Sequence, residues 1–315
     1  MRLKSIQIQT TSACNAVCAM CPHPTSWMKT KQGRGRMTDE LYEKIIMDLK
    51  EQNFDGQFIP YLGNEPFMDP TILDKIDFAI GHMPTVKLTV DSNMAMLNED
   101  KIDRLYELYE KVGFRGKFTI SHHGIDKETI WAIMGIPYDK SLNNLVYLIK
   151  KFNNKLPIII HSCCDWMDSD LDLDGVFKDS ESGKKKFTRD AFEKVKWPGV
   201  KKYWHGLIQK YDLPTKTLKL DRLVPNSKAN RAPVRSVANP GRGSCPRIRG
   251  FFHVLWNGEA TLCCRTVYRH EADIILGDLN NQTIQEVYAS EKCHIAYERV
   301  RGNIKSREDH PCKRC

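Results

Sequence analysis

The chain has 315 residues, 41% of them hydrophobic and 28% charged, and a formal net charge of +9. That length allows one large domain with a smaller one beside it, and the composition is ordinary for a globular protein. No apolar run approaches the roughly 20 residues that span a bilayer, and the first stretch, MRLKSIQIQTTSAC, lacks the apolar core of a signal peptide, so no membrane partner and a cytoplasmic location are expected.

The first predicted strand, Ser5–Thr10, runs directly into CNAVCAMC, which sets Cys14, Cys18 and Cys21 within eight positions. Eleven cysteines in a cytoplasmic chain read as metal ligands or reactive thiols rather than disulfides. They gather at the two ends. Only Cys163 and Cys164 lie between this triplet and the set Cys245, Cys263, Cys264, Cys293, Cys312 and Cys315. Three thiolates on one loop can wrap one face of a cubane iron–sulfur cluster and leave one iron open. A catalytic site has a use for that open position. Zinc is the alternative, with His23 as fourth ligand of a closed structural site.

A helix follows at MTDELYEKIIMDLKE. Thr38 caps it, Asp39 and Glu40 complement its dipole, and Leu41, Ile45, Ile46 and Leu49 share one face. Strands are predicted at Gln57–Leu62 and Val86–Asp91. In NEDKIDRLYELYEKVG, Asn98 caps a helix whose stripe is Ile102, Leu105, Tyr109 and Val112, and Gly113 stops it. Strand Lys117–Ser121, a helix from about Ser141 to Asn153, and strands Pro157–Ser162 and Thr217–Val224 complete the alternation. Six βα units before residue 225 predict a parallel sheet with its chemistry at the carboxyl ends of the strands. Cys163 and Cys164, near the end of the fifth strand, read as barrel packing, with lining of the active site as the alternative.

Asp170–Glu181, DLDLDGVFKDSE, fits a calcium-loop pattern. A strand precedes it where a helix is required, so an acidic surface loop is the expectation and calcium the alternative. SGKKKF reads as a solvated charge run. The net positive charge suits an anionic partner, but no RRM, zinc-finger or helix-turn-helix signature points to nucleic acid.

Residues 226–244, rich in Pro, Gly, Asn and Arg, read as a linker between a barrel over 1–225 and a small unit over 245–315. In that unit FHVLWNGEATLCC reads as a hairpin about Asn257-Gly258, a short helix TIQEVYAS follows, and the sequence closes on CKRC. So small a unit needs a metal staple.

CNAVCAMC, in CxxxCxxC spacing just after a first strand, resembles the cluster loop of the radical S-adenosylmethionine (radical SAM) enzymes. GNEP (Gly63–Pro66) resembles their GGEP, whose backbone binds the amino group of the cofactor's methionine part. Asn64 replaces the second glycine. DSN (Asp91–Asn93) resembles their TNG, with Met94 at the glycine, and Ser121 stands at a position that often contacts the cofactor. Cys245, the Gly258-x4-Cys263 hairpin and Cys312-x2-Cys315 resemble the auxiliary modules called SPASM and twitch, in the one-cluster twitch form. Within the superfamily the layout most resembles the 2-deoxy-scyllo-inosamine dehydrogenases, and PNSKANRAP, through Asn230 and Arg231, loosely resembles their S-N-R-x-G stretch. The resemblance covers the chain except about residues 165–216.

It implies an α/β fold: a partial (β/α)6 TIM-like barrel followed by a small hairpin-plus-helix twitch domain. It implies a [4Fe–4S] cluster on Cys14, Cys18 and Cys21, and S-adenosylmethionine held by Gly63, Asn64, Glu65, Pro66, Ser92, Asn93 and Ser121. It also implies an auxiliary [4Fe–4S] cluster on Cys245, Cys263, Cys312 and Cys315, with Cys264 and Cys293 as competing ligands. The activity expected is reductive cleavage of S-adenosylmethionine to a 5′-deoxyadenosyl radical, which takes a hydrogen atom from a substrate. That substrate is expected to be a polar small molecule, a sugar or aminocyclitol, anionic if the basic charge serves it. The auxiliary cluster would accept the remaining electron. A proton acceptor is needed, and His122, His123, Tyr61 and Arg231 are the candidates by position. An electron donor such as flavodoxin or ferredoxin is the expected partner. Two further readings stand beside this one: a peptide-modifying radical SAM enzyme, and a non-enzymatic zinc-binding interaction protein.

Overall fold

Six short segments, which alternate apolar with polar residues in SIQI, KLTVDS and KFTIS, each become a strand of one parallel sheet. The computed structural model describes residues 3–166, 189–223, 250–264, 267–268, 270–301 and 303–304. The strands are β1 Ser5–Ile8, β2 Gln57–Ile59, β3 Lys87–Ser92, β4 Arg115–Ser121, β5 Ile158–Cys163 and β6 Leu218–Leu223, lying side by side in chain order. Ile6, Ile8, Phe58, Leu88, Val90, Phe118, Ile120, Ile158 and Ile160 are buried in one core with the helices. Their odd-numbered neighbours Gln57, Thr89, Asp91, Lys117, Thr119 and His161 fall on the opposite face, because successive side chains alternate.

The crossover helices are α1 Asp39–Glu51, α2 Ile72–His82, α3 Glu99–Val112, α4 Lys127–Met134, α5 Tyr138–Phe152, α6 Arg189–Lys194 and α7 Trp197–Tyr211. Local chemistry sets their ends. Thr38 Oγ1 accepts from Leu41 N at 3.2 Å to start α1. Asn98 Oδ1 accepts from Lys101 N at 3.1 Å to start α3, and Gly113 ends that helix at φ +59°, a left-handed turn that costs a glycine little. The expected stripe of α1 is buried, together with Tyr42. The helix expected from Ser141 begins at Tyr138, behind Pro137. Helices α6 and α7 were outside the sequence expectations.

The expected hairpin is present, as β7 Phe251–Val254 and β8 Glu259–Thr261, with Gly258 in its turn at φ +92°. A third strand, β9 Ile275–Asp278, pairs antiparallel with β8. Helix α8, Ile284–Ala289, starts at a capping box of Thr283 and Glu286, and α9 covers Glu291–Arg301. This C-terminal region shares the sheet of the first. Strand β7 lies parallel to β1, Ser5 opposite Phe251 through Ile8 opposite Val254. The nine strands thus run β6-β5-β4-β3-β2-β1-β7-β8-β9. Lys44 of α1 donates to the carbonyls of Leu279 at 2.7 Å and Gln282 at 2.9 Å, and Asp48 accepts from Ile284 N at 2.7 Å.

Among the described residues no helix is long and apolar enough to cross a membrane. The linker 226–244, Arg231, the Asp170–Glu181 loop, Cys245, Cys312 and Cys315 lie outside the described residues.

Candidate active site

At the carboxyl ends of the parallel strands opens a cavity of about 340 Å³, and Cys14, Cys18 and Cys21 form one of its walls. The loop that carries them is tied on two sides. Val17 N and Ala19 N donate to the Met134 and Ile133 carbonyls at 2.9 Å, and Glu65 N donates to Ala13 O at 3.0 Å. Asn93 Nδ2 reaches Asn15 Oδ1 at 2.9 Å. Backbone bonds thus fix the loop before anything binds to it.

Burial, then the neighbouring Cys18 sulfur, pushes the Cys14 thiol far above its ordinary range. Such a group ionises only where a cation meets it, and iron supplies one. His23 also lines the cavity, with Nε2 on Ser12 O at 2.8 Å and a buried Nδ1 that has no hydrogen-bond partner. A cubane cluster takes its three thiolates at three separate irons, and the three cysteines on one wall fit that demand.

The second wall is the GNEP turn. Gly63 has φ +71°, and a Cβ there would lie 3.1 Å from Val267 Cγ2 and 3.2 Å from the Tyr268 hydroxyl. Left-handed backbone and close approach both call for glycine. Asn64 Oδ1 accepts from Leu62 N at 2.9 Å, while its buried Nδ2 has no partner and the residue lines the cavity. An orphaned donor at this place fits a ligand bearing a carboxylate. Glu65 accepts from Ser92 Oγ and Asn93 N, both at 2.9 Å, yet burial pushes its carboxyl up to about 7. Pro66 is buried and begins the short 3-10 turn Pro66–Met68. It does not line the cavity. Met94, at the expected glycine position, adopts φ +67°. The family's glycine geometry is therefore kept by a residue that strains to hold it.

The inner face of the sheet forms the floor. Asp91 and Thr119 are register partners, as are Ser121 and His161, and His161 and Asp221. Asp91, Thr119, Ser121, His161 and Cys163 all line the cavity, so Cys163 faces the site while Cys164 is buried behind it. His161 Nε2 lies 3.2 Å from Asp221 Oδ2. Burial lowers the His161 pKa and Asp221 works against that.

Of the proton-acceptor candidates, Tyr61 and His123 line the cavity. His122 does not, which corrects its expected place. Strand alternation turns it outward, where Tyr203 stacks on its ring at 5.8 Å between centroids and the Tyr203 hydroxyl meets Nε2 at 3.2 Å. Burial lowers its pKa to about 4, as suits a neutral core imidazole. Of the auxiliary ligand candidates, Cys263 and Cys264 are half-buried, and Cys293 is buried in the core from α9. The residues that sequence reading missed are Asp91, Thr119, His161 and Tyr268. Counting in twos back from Ser121 and Cys163 reaches Thr119 and His161. Tyr268 leaves no local signal.

Two family models match the chain, the radical SAM superfamily over residues 8–162 and the SPASM iron–sulfur cluster-binding domain over residues 245–315. No protein of curated function matches it. Solved structures of similar fold include BtrN in complex with AdoMet and 2-DOIA, at 15% identity, 100% of this chain, 93% of that one and a TM-score of 0.58. They also include anSMEcpe with bound AdoMet, at 16% identity, 99% and 86% coverage and a TM-score of 0.57. Streptococcus suis SuiB bound to precursor peptide SuiA follows, at 12% identity, 100% and 71% coverage and a TM-score of 0.58. At these identities the likeness is one of fold. The family matches overturn the reading of a non-enzymatic zinc-binding interaction protein.

Proposed function

This chain belongs to the radical SAM superfamily, and from that premise we propose that it oxidises a hydroxyl-bearing polar small molecule held between the cysteine loop and the strand ends. Cys14, Cys18 and Cys21 would hold the [4Fe–4S] cluster, leaving one iron for S-adenosylmethionine. Cys245, Cys263, Cys312 and Cys315 would hold the auxiliary cluster. When bound, these groups supply a 5′-deoxyadenosyl radical that removes a hydrogen atom and an acceptor for the electron that remains. Asn64 Nδ2 and the Gly63–Glu65 backbone would bind the cofactor's amino-acid part, with Ser92 and Asn93 fixing Glu65. The cellular setting is a cytoplasm with a flavodoxin or ferredoxin as reductant.

The observation that carries this reading is the His161–Asp221 pair on the cavity floor. Asp221 engages Nε2 and leaves Nδ1 to take a hydroxyl proton. Burial keeps the ring neutral at pH 7, and Lys117 adds to that by its charge. A neutral imidazole oriented by a carboxylate is a competent general base. His123 and Tyr61 would border the substrate beside it. The cavity presents Glu65 and Asp91 and, among the described lining residues, neither lysine nor arginine. A neutral or amine-bearing substrate therefore suits it better than an anionic one.

The test is anaerobic turnover with S-adenosylmethionine, dithionite and carbon-deuterated aminocyclitols and sugars. We expect deuterium in 5′-deoxyadenosine and a ketone product. His161→Gln should keep cofactor cleavage within about two-fold and lower product at least 100-fold, the low end of general-base effects. Deuterium transfer from peptides alone would overturn the small-molecule reading.

A further inference from the structure

We propose that the hydroxyl of Tyr268 donates a hydrogen bond to the sulfur of Cys21, and that this bond sets the reduction potential of the cluster held there. The C-terminal region would thereby tune the centre where the reaction begins. The proposal rests on Cys14, Cys18 and Cys21 being the cluster ligands.

Tyr268 Oη lies 3.7 Å from Cys21 Sγ, across 247 residues of sequence. The side chain is buried and lines the cavity. Among the described residues Cys21 is the one hydrogen-bond partner of this hydroxyl. A free thiol could donate or accept here. A thiolate bound to iron carries no proton, so with the cluster in place the phenol must donate.

Three features hold the hydroxyl at that position. Gly63 leaves the space beside it, since a Cβ there would come within 3.2 Å of the Tyr268 oxygen. Trp27, six residues after Cys21, donates from Nε1 to Val267 O at 2.8 Å. The Trp27 ring also packs on His270, 4.5 Å between centroids. The cysteine loop therefore grips the C-terminal segment on both sides of Tyr268. Leu62, Val267 and Tyr268 share one small apolar cluster with Met28 and Leu255, and Cys21 packs against it.

Hydrogen bonds to cluster sulfurs stabilise the more negative, reduced state and raise its potential. The role of Tyr268 follows. Without its O–H the cluster should be harder to reduce, while the ring still fills its place.

The experiment uses the full chain with clusters reconstituted anaerobically. The signal of the three-cysteine cluster is recognised by its change on adding S-adenosylmethionine, which separates it from the auxiliary cluster. In Tyr268→Phe the ratio of reduced to oxidised cluster at a fixed potential should fall about 3- to 10-fold. For one electron that is ~30–60 mV downward. Pulsed EPR in H2O against D2O should show an exchangeable proton in the parent that the Phe variant lacks. The auxiliary cluster should keep its potential. Trp27→Phe, which loosens the segment and keeps the hydroxyl, should give a smaller shift of the same sign, and it carries the test if the Tyr268 variant fails to fold. An unchanged potential with the proton coupling retained in Tyr268→Phe overturns the proposal. A parent with no signal sensitive to S-adenosylmethionine overturns instead the ligand assignment beneath it.

Discussion

Asp91, one residue before the end of β3, lines the cavity and faces Thr119 across the register. The Thr119 hydroxyl and the charge of Lys117 both favour its carboxylate, but burial outweighs them and pushes the carboxyl from 3.8 up to about 6. The sign of the pH effect follows. Between about pH 4 and 6 the folded chain keeps a proton that the unfolded chain releases. Stability therefore falls as pH rises through that window, and the loss is complete above it. At ~1.4 kcal/mol per unit the upper bound is ~3 kcal/mol, reduced because the residue lines the open cavity. Asparagine keeps an acceptor for Thr119 and removes the charge. In the metal-free protein Asp91→Asn should leave Tm unchanged at pH 4 and raise it by several degrees at pH 8. Equal gains at both pH values would show that ionisation is not the cause. Not every site residue is legible this way. The cysteine triplet, the GNEP turn and Ser121 announce themselves through fixed spacing after predicted strands. His161 acquires meaning only from Asp221, which register places beside it.

Helix ends are where the sequence speaks most directly, because a cap is decided within four residues. Thr38, Asn98, Gly113 and Thr283 each do what their residue types dictate. Helix α7 is harder to read. Its buried stripe of Val200, Trp204 and Leu207 has helical spacing and Pro198 in its first turn suits a helix start, yet Gly199 and Gly206 lower its helix propensity. Burial of Trp204 against the His122 ring, 5.2 Å between centroids, supplies what local preference lacks. That contact is long-range and invisible in the linear pattern. A methyl at Gly206 would meet nothing within 4 Å, so Gly206→Ala removes unfolded-state freedom at no steric cost. We expect a gain of about 0.5–1 kcal/mol, read as a higher urea midpoint with unchanged m-value. A lower midpoint would mean that this face of α7 is not free.

At the scale of the whole molecule, the sequence reads as a barrel and a separate small unit, and the sheet joins them. Strand β1, which delivers the cysteine loop, has β2 on one side and β7 on the other. Gln9, just past β1, donates from its backbone to Val254 O at 2.8 Å and from Nε2 to Leu62 O at 2.7 Å. It thereby links the C-terminal hairpin to the turn before Gly63. Trp256 Nε1 holds Gly33 O at 3.1 Å. Phe252, Val254, Leu276, Ile284 and Val287 belong to the same buried core as Ile6 and Ile8. A change of composition along the chain marks where a linker runs. It does not mark where a core ends, because cores are closed by contacts between distant residues. Cutting the chain after Leu223 would expose β1 as an edge strand, uncover that apolar face and remove Tyr268 from the cluster loop. Unpaired strand edges and open apolar faces associate. The 1–223 fragment should therefore elute as aggregate, lose near-ultraviolet circular dichroism, and exchange the amides of residues 5–9 within seconds, where the full chain protects them. A fragment that is monomeric and unfolds cooperatively at the full-length midpoint would show that the shared sheet is a seam between two independent folding units.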